Sequence, residues 1–178
     1  MILDLVPSTN PILKQVCELF NFESPQCDPD KLARDLKDTM IAKGGIGLSA
    51  SQVGLPYRVF VAGDPKDPDN IHAFFNPKIV DITGDMVLME EGCLSYPGLF
   101  VKIKRRESVR VRYADPRGEV TTEVFDEIPS RVIQHEYDHL DGIVYFTHAN
   151  RYHLDAAKRQ KKKLDKRRKS NYNILNKR

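Results

Sequence analysis

The sequence predicts an α+β domain: mixed, mainly antiparallel β-sheets around a central helix, with N-terminal helices before it and a basic C-terminal helix after it. Three observations lead there. Alternating strand segments between residues 58 and 125 stand too close together for βαβ crossovers. The segment ending at Leu140 places Ile128, Val132 and Leu140 at helical spacing and carries His135 and His139 four residues apart. Residues 151–178 hold 12 of the 28 Lys and Arg residues but only two of the 25 Asp and Glu residues, so the preceding body is acidic.

Asn10-Pro11 reads as a helix start, Asn as N-cap and Pro at the first helical position, with Ile12, Val16 and Leu19 following at helical spacing. Asp28-Pro29 repeats the device for a second helix with Leu32, Leu36 and Met40 inward, ended by Gly44-Gly45. Cys17 reads as a small core residue; Cys27 has no assigned role. A small-residue turn, Gly45 to Gln52, lacks the Gly-Lys-Ser/Thr ending of a phosphate-binding loop and leads to a strand at Arg58–Ala62. Strands follow at 79–82, 86–89 and 100–103. Ser108–Tyr113 alternates as a half-buried strand, and a turn at Asp115-Pro116-Arg117-Gly118 returns the chain as its hairpin partner, 119–125. Gly142 marks the stop of the central helix. Leu154, Ala157, Lys161 and Leu164 give the tail approximate helical spacing.

Chemistry concentrates in Gln134-His135-Glu136-Tyr137-Asp138-His139. Two histidines four apart leave one helix face a turn apart and can share a divalent cation. Glu136, roughly 100° further round, stands where a carboxylate exchanges protons with metal-bound water. A catalytic site needs a third ligand. No Glu follows Glu136, and the eleventh position of the longer protease motif is Tyr145. His148 and His153 fit no ligand spacing and read as surface residues. The third ligand is therefore expected upstream, where Glu90-Glu91-Gly92-Cys93-Leu94-Ser95 offers a thiolate in a turn. For two His and one Cys, ligand chemistry alone makes Zn²⁺ the default.

Three segments in this order, Gly45–Gln52, Glu91–Ser95 and Gln134–Gly142, resemble the three motifs of the peptide deformylases, and the resemblance spans about residues 1–150. It implies that Cys93, His135 and His139 bind one divalent metal, Fe²⁺ in preference to Zn²⁺, Ni²⁺ or Co²⁺, and that Glu136 is the catalytic acid–base. It assigns oxyanion stabilisation to the Gln52 side chain and the Leu94 backbone N–H. The implied substrate is the N-formylmethionyl end of nascent polypeptides, lying extended along Ile46-Gly47 and Gly92, with formate released. An apolar pocket for methionine is expected around Ile46, Ile128 and Val132 beside His135. Residues 1–150 would be the catalytic domain and 151–178 a basic extension able to contact the ribosome. Ser49 stands where the family usually has alanine. Arg131 stands where an apolar pocket wall is expected, and either turns outward or narrows side-chain preference. Phe100 occupies a position often polar or basic. Arg105 and Glu91 could pair behind the cysteine loop, or simply on the surface.

The 178 residues suit one domain with a real core, and 40% hydrophobic with 30% charged residues is an ordinary soluble composition. No apolar run approaches the roughly 20 residues of a membrane span, and Met1–Pro7 lacks a basic, signal-type start, so a cytoplasmic setting is expected. Three cysteines at unrelated spacings make no disulfide framework. Two other readings compete. A metallopeptidase of the same helix motif predicts a downstream ligand; a nucleic-acid-binding module with a structural metal leaves Glu136 and Gln52 without purpose.

Overall fold

The computed structural model describes the backbone of residues 1–175 and the side chains of residues 1–167. The elements are α1 (Pro29–Ala42), β1 (Gly47–Ser49), β2 (Val59–Ala62), β3 (His72–Glu91), β4 (Val101–Ala114), β5 (Val120–Asp126), α2 (Glu127–Leu140) and α3 (Arg151–Leu175). The strands form one five-stranded antiparallel sheet in sequence order. The parallel contact among the described residues is an isolated bridge between Glu18 and Tyr57.

Helix α1 forms as its sequence dictates. Asp28 caps it by accepting from the Lys31 N–H, Pro29 occupies the first turn, and Leu32, Leu36 and Met40 are buried against Leu48, Val59 and Phe75. The expected first helix does not form. Asn10 does accept from the Ile12 N–H, but only a four-residue 3₁₀ turn, Pro11–Lys14, follows. The Cys17 N–H then donates to the Leu140 carbonyl, the Glu18 N–H to the Pro56 carbonyl and the Arg58 N–H to the Glu18 carbonyl. Tertiary pairing of an extended chain overrides the local helix signal, burying Cys17 and Phe20 and leaving Val16 and Leu19 exposed.

The segments read as separate strands at 79–82 and 86–89 are one long strand, β3. The Thr83-Gly84-Asp85 break is a bulge in its ladder with β4, closed by the Asp85 N–H donating to Glu107. Likewise 100–103 and 108–113 are parts of β4.

Helix α2 lies on the sheet with Ile133 and Leu140 packed among Phe60, Phe74, Val109 and Val111. Ile128 does not join this buried face. It sits in the helix's first turn, 45% exposed, at the mouth of a cleft. At the other end, Gly142 (φ +69) stops the helix beside the Lys14 backbone, where a side chain has no room. Helix α3 docks through Ala157 and Leu154 onto Val101, Ile103 and Tyr145. The tail beyond its described part, including Arg168, Lys169, Lys177 and Arg178, lies outside the residues whose side chains are described.

Candidate active site

A cavity of about 480 Å³ opens between β1, the turn after β3 and α2. Its lining contains Ile46, Gly47, Gln52, Gly92, Cys93, Leu94, Ile128, Val132, His135 and Glu136, with His139 behind it, 1% exposed. The positions singled out in the sequence therefore meet at one place, contributed by three stretches of the chain, 46–52, 92–94 and α2.

The thiol of Cys93 and the imidazoles of His135 and His139 bring their ligand atoms within 4.8 Å of one another. Cys93 Sγ lies 3.2 Å from His139 Nε2, close to the N–S edge of about 3.5 Å that tetrahedral bond lengths give. His135 Nδ1 sits 3.1 Å from Glu91 Oε2. With its N–H donated there, Nε2 remains the lone-pair nitrogen, the arrangement that orients a metal-binding histidine. In the metal-free protein the two imidazoles cannot both be charged. Burial and the neighbouring His135 push His139 down to about 3. At His135 burial is outweighed by Cys93 and Glu91, which raise it to about 10. The donor set thus fits a borderline-soft divalent cation, whose charge would replace that of the proton.

Behind these three side chains lies a buried ionic cluster. Glu91 is bound twice by Arg105, through Nε at 2.8 Å and NH2 at 3.1 Å, and once by Arg131 NH1 at 2.7 Å. Burial would raise the Glu91 carboxyl, but His135 and Arg105 hold it at about 2. The pairing of Arg105 with Glu91 is therefore internal, each side chain 5% exposed. Arg105 NH1 continues to Asp138, which also meets His148 at 2.9 Å. Arg131 turns inward and lines the cavity, so of the two alternatives the outward one does not hold. In the sequence Asp138 has no assigned role, and Tyr145 figures only as the eleventh position of the longer protease motif. The Tyr145 ring packs against His135 while its hydroxyl donates to the Leu99 carbonyl. Spacing gave no signal for the bonds to Arg105 and the Leu99 carbonyl, because those partners come from β4 and the loop before it.

Glu136 faces the cavity, and burial pushes its carboxyl up to about 7. Its Oε2 is buried without a hydrogen-bond partner in the protein. A buried polar oxygen left open costs stability and is characteristic of a functional position. Gln52 is oriented from behind: Oε1 accepts from the Ser49 N–H at 2.9 Å and the Ser49 hydroxyl at 3.2 Å. Its NH₂ is thereby aimed at Ser95 Oγ, 3.1 Å, and Cys93 Sγ, 3.4 Å. The serine departure thus contributes a further bond to the amide. Phe100 lies over Gly92 at the cleft rim, 53% exposed.

The family model for polypeptide deformylase matches residues 2–155. A peptide deformylase of Pseudothermotoga lettingae is 43% identical over 114 residues, 64% of each chain. One of Desulforudis audaxviator is 38% identical over 148 residues, covering 83% of this chain and 94% of the relative. The crystal structure of a peptide deformylase from Synechococcus elongatus in complex with actinonin matches with a TM-score of 0.81 at 34% identity, over 87% of this chain and 85% of that one.

Proposed function

This chain belongs to the polypeptide deformylase family and is a metal-dependent hydrolase removing N-formyl groups; we propose that it acts on the initiator formylmethionine of newly made polypeptides, with Fe²⁺ as its metal. The observation that carries the reading is the convergence of Cys93, His135 and His139 beside an unpartnered Glu136 carboxylate oxygen. A divalent ion held by those three residues supplies a Lewis acid and a water acidified towards ~7. Fe²⁺ rests on the family likeness; Zn²⁺, Ni²⁺ and Co²⁺ suit the same donors.

Each residue then has a task. Glu136, with a pKa near working pH, accepts the proton of the attacking water and later delivers it to the departing amine nitrogen. The Gln52 NH₂ and the Leu94 backbone N–H donate to the formyl oxygen as charge develops, each worth on the order of 3 kcal/mol. The peptide adds in extended form to the free edge at Ile46-Gly47 and reaches Gly92 opposite. Val132 and the half-exposed Ile46 and Ile128 accept the methionine side chain. Arg131, held inward, takes the place of an apolar wall.

Nascent chains as substrate imply work in the cytoplasm, close to the ribosome. No described helix is long and apolar enough to cross a membrane. The basic exposed face of α3 is proposed to contact the ribosome.

The test is formate release from a short N-formyl-methionyl peptide by protein purified without oxygen and supplied with Fe²⁺ or Ni²⁺. Formate with the peptide chain intact is expected. Chain cleavage without formate would replace the reading with a metallopeptidase.

A further inference from the structure

We propose that Arg131 is a positioning residue for the metal-binding histidine His135, acting through Glu91 and through the spacing between α2 and the β3–β4 hairpin. The inference rests on the deformylase reading of the site.

Arg131 stands on α2 one turn before His135, its side chain 8% exposed. Its guanidinium touches three separate acceptors. NH1 donates to Glu91 Oε1 at 2.7 Å and to the Ile103 carbonyl at 3.1 Å; NH2 donates to the Val87 carbonyl at 2.6 Å. Val87 and Glu91 lie on β3 and Ile103 on β4, so one side chain ties the helix that carries both histidines to two strands. Glu91 is the shared element. Oε1 takes Arg131 and Arg105 Nε; Oε2 takes Arg105 NH2 and His135 Nδ1. With Oε1 engaged by both arginines, the carboxylate plane is fixed and Oε2 is presented to His135 in one orientation.

Arg105 alone does not supply this. It grips Glu91 from β4 and reaches Asp138 on α2, but it makes no bond to the Val87 or Ile103 carbonyls. Without Arg131 those two carbonyls lose their side-chain donor and Glu91 can swing about its bidentate partner. Lysine restores the charge but not the fork, because one ammonium cannot span a carboxylate and two carbonyls on different strands in the same plane.

The experiment compares Arg131→Leu and Arg131→Lys with the wild type as full-length, Co²⁺-loaded protein, measuring the rate of Co²⁺ loss to a chelator, the visible Co²⁺ spectrum, kcat and KM. Arg58→Leu is the control, since Arg58 also ties α2, at Leu140 and Asp141, without touching a ligand's partner. Expected are one Co²⁺ per chain in all, a release at least about tenfold faster in Arg131→Leu, and an intermediate value in Arg131→Lys. The fall in kcat should be of similar size, with KM little changed and an altered Co²⁺ spectrum. Arg58→Leu should lower Tm while leaving release and spectrum as in the wild type. Release and kcat within twofold of wild type in Arg131→Leu, or in Arg131→Lys should the leucine variant not fold, would overturn the proposal. So would an equal acceleration in Arg58→Leu. A wild type that holds Co²⁺ but frees no formate would overturn the deformylase reading instead, and the release comparison would still judge Arg131.

Discussion

Gly47 and Glu136 occupy one space: a Cβ on Gly47 would stand 2.5 Å from Glu136 Oε1 and 2.8 Å from a Val132 methyl. The backbone of β1 thus leaves no room for a side chain beside the carboxylate, and only glycine leaves Glu136 where it is. Gly47→Ala must move the carboxylate, and displacement of a reacting group by about 1 Å costs on the order of a hundredfold in rate. We expect Gly47→Ala to keep its metal and to lose roughly that factor in kcat, read by formate release beside metal analysis. A kcat within twofold of wild type would show the carboxylate is free to adapt.

Glu136→Gln preserves the shape and removes the proton acceptor. Three ligand side chains remain, so metal content should stay at one per chain, while kcat falls by about 10² to 10⁴. Loss of the metal in this variant would mean that the carboxylate holds the ion and not the proton.

Much of the site could be read in the chain because its chemistry is local. His135, Glu136 and His139 owe their mutual geometry to one turn of helix, and the lack of a downstream donor pointed to Cys93, whose Sγ does stand beside the two imidazoles. Arg131 shows where such reading ends. Its acceptors lie 28 to 44 residues away on two strands, and no periodicity on α2 could say that a cation would turn inward. The same limit explains the first helix. Val16 and Leu19 have helical spacing, yet the Leu140 and Pro56 carbonyls, far off in sequence, capture that backbone. The strands read separately at 79–82 and 86–89 are one strand for a related reason, since a break in a strand pattern marks a bulge as readily as an end.

Metal-free protein should show the Glu136 carboxyl in its stability. Burial raises its folded pKa to about 7 from 4.5. Between those values the unfolded chain has lost the proton that the folded chain retains, so stability falls as pH rises through this window. From pH 5 to 6.5 the loss is about 2 kcal/mol. Glu91 has the opposite sign. Held at about 2 in the folded protein, it contributes fully above its unfolded value and loses that contribution only as pH falls from about 4.5 towards 2. Urea denaturation of chelated wild type and Glu136→Gln at pH 5 and 6.5 isolates the first effect as the difference between the two proteins. Equal pH slopes would contradict it.

Helix α3 gives the last prediction, and its packing decides the design. Ala157 and Leu154 belong to the cluster around Val101 and Tyr145, so truncation before Arg151 would disturb the body along with the charge. The exposed lysines Lys158, Lys162, Lys163 and Lys166 can be reversed while Ala157 and Leu154 stay in place. If this face meets ribosomal RNA, binding follows counterion release and weakens steeply with salt. The fourfold Lys→Glu protein should then deformylate a short free peptide at the wild-type rate. It should no longer sediment with ribosomes at low salt, where the wild type is expected to. Undiminished sedimentation of the fourfold variant would remove α3 from the interface. Lost peptide activity would mean instead that these charges act on the cleft, whose Leu99 rim lies beside Lys158, Lys162 and Lys166.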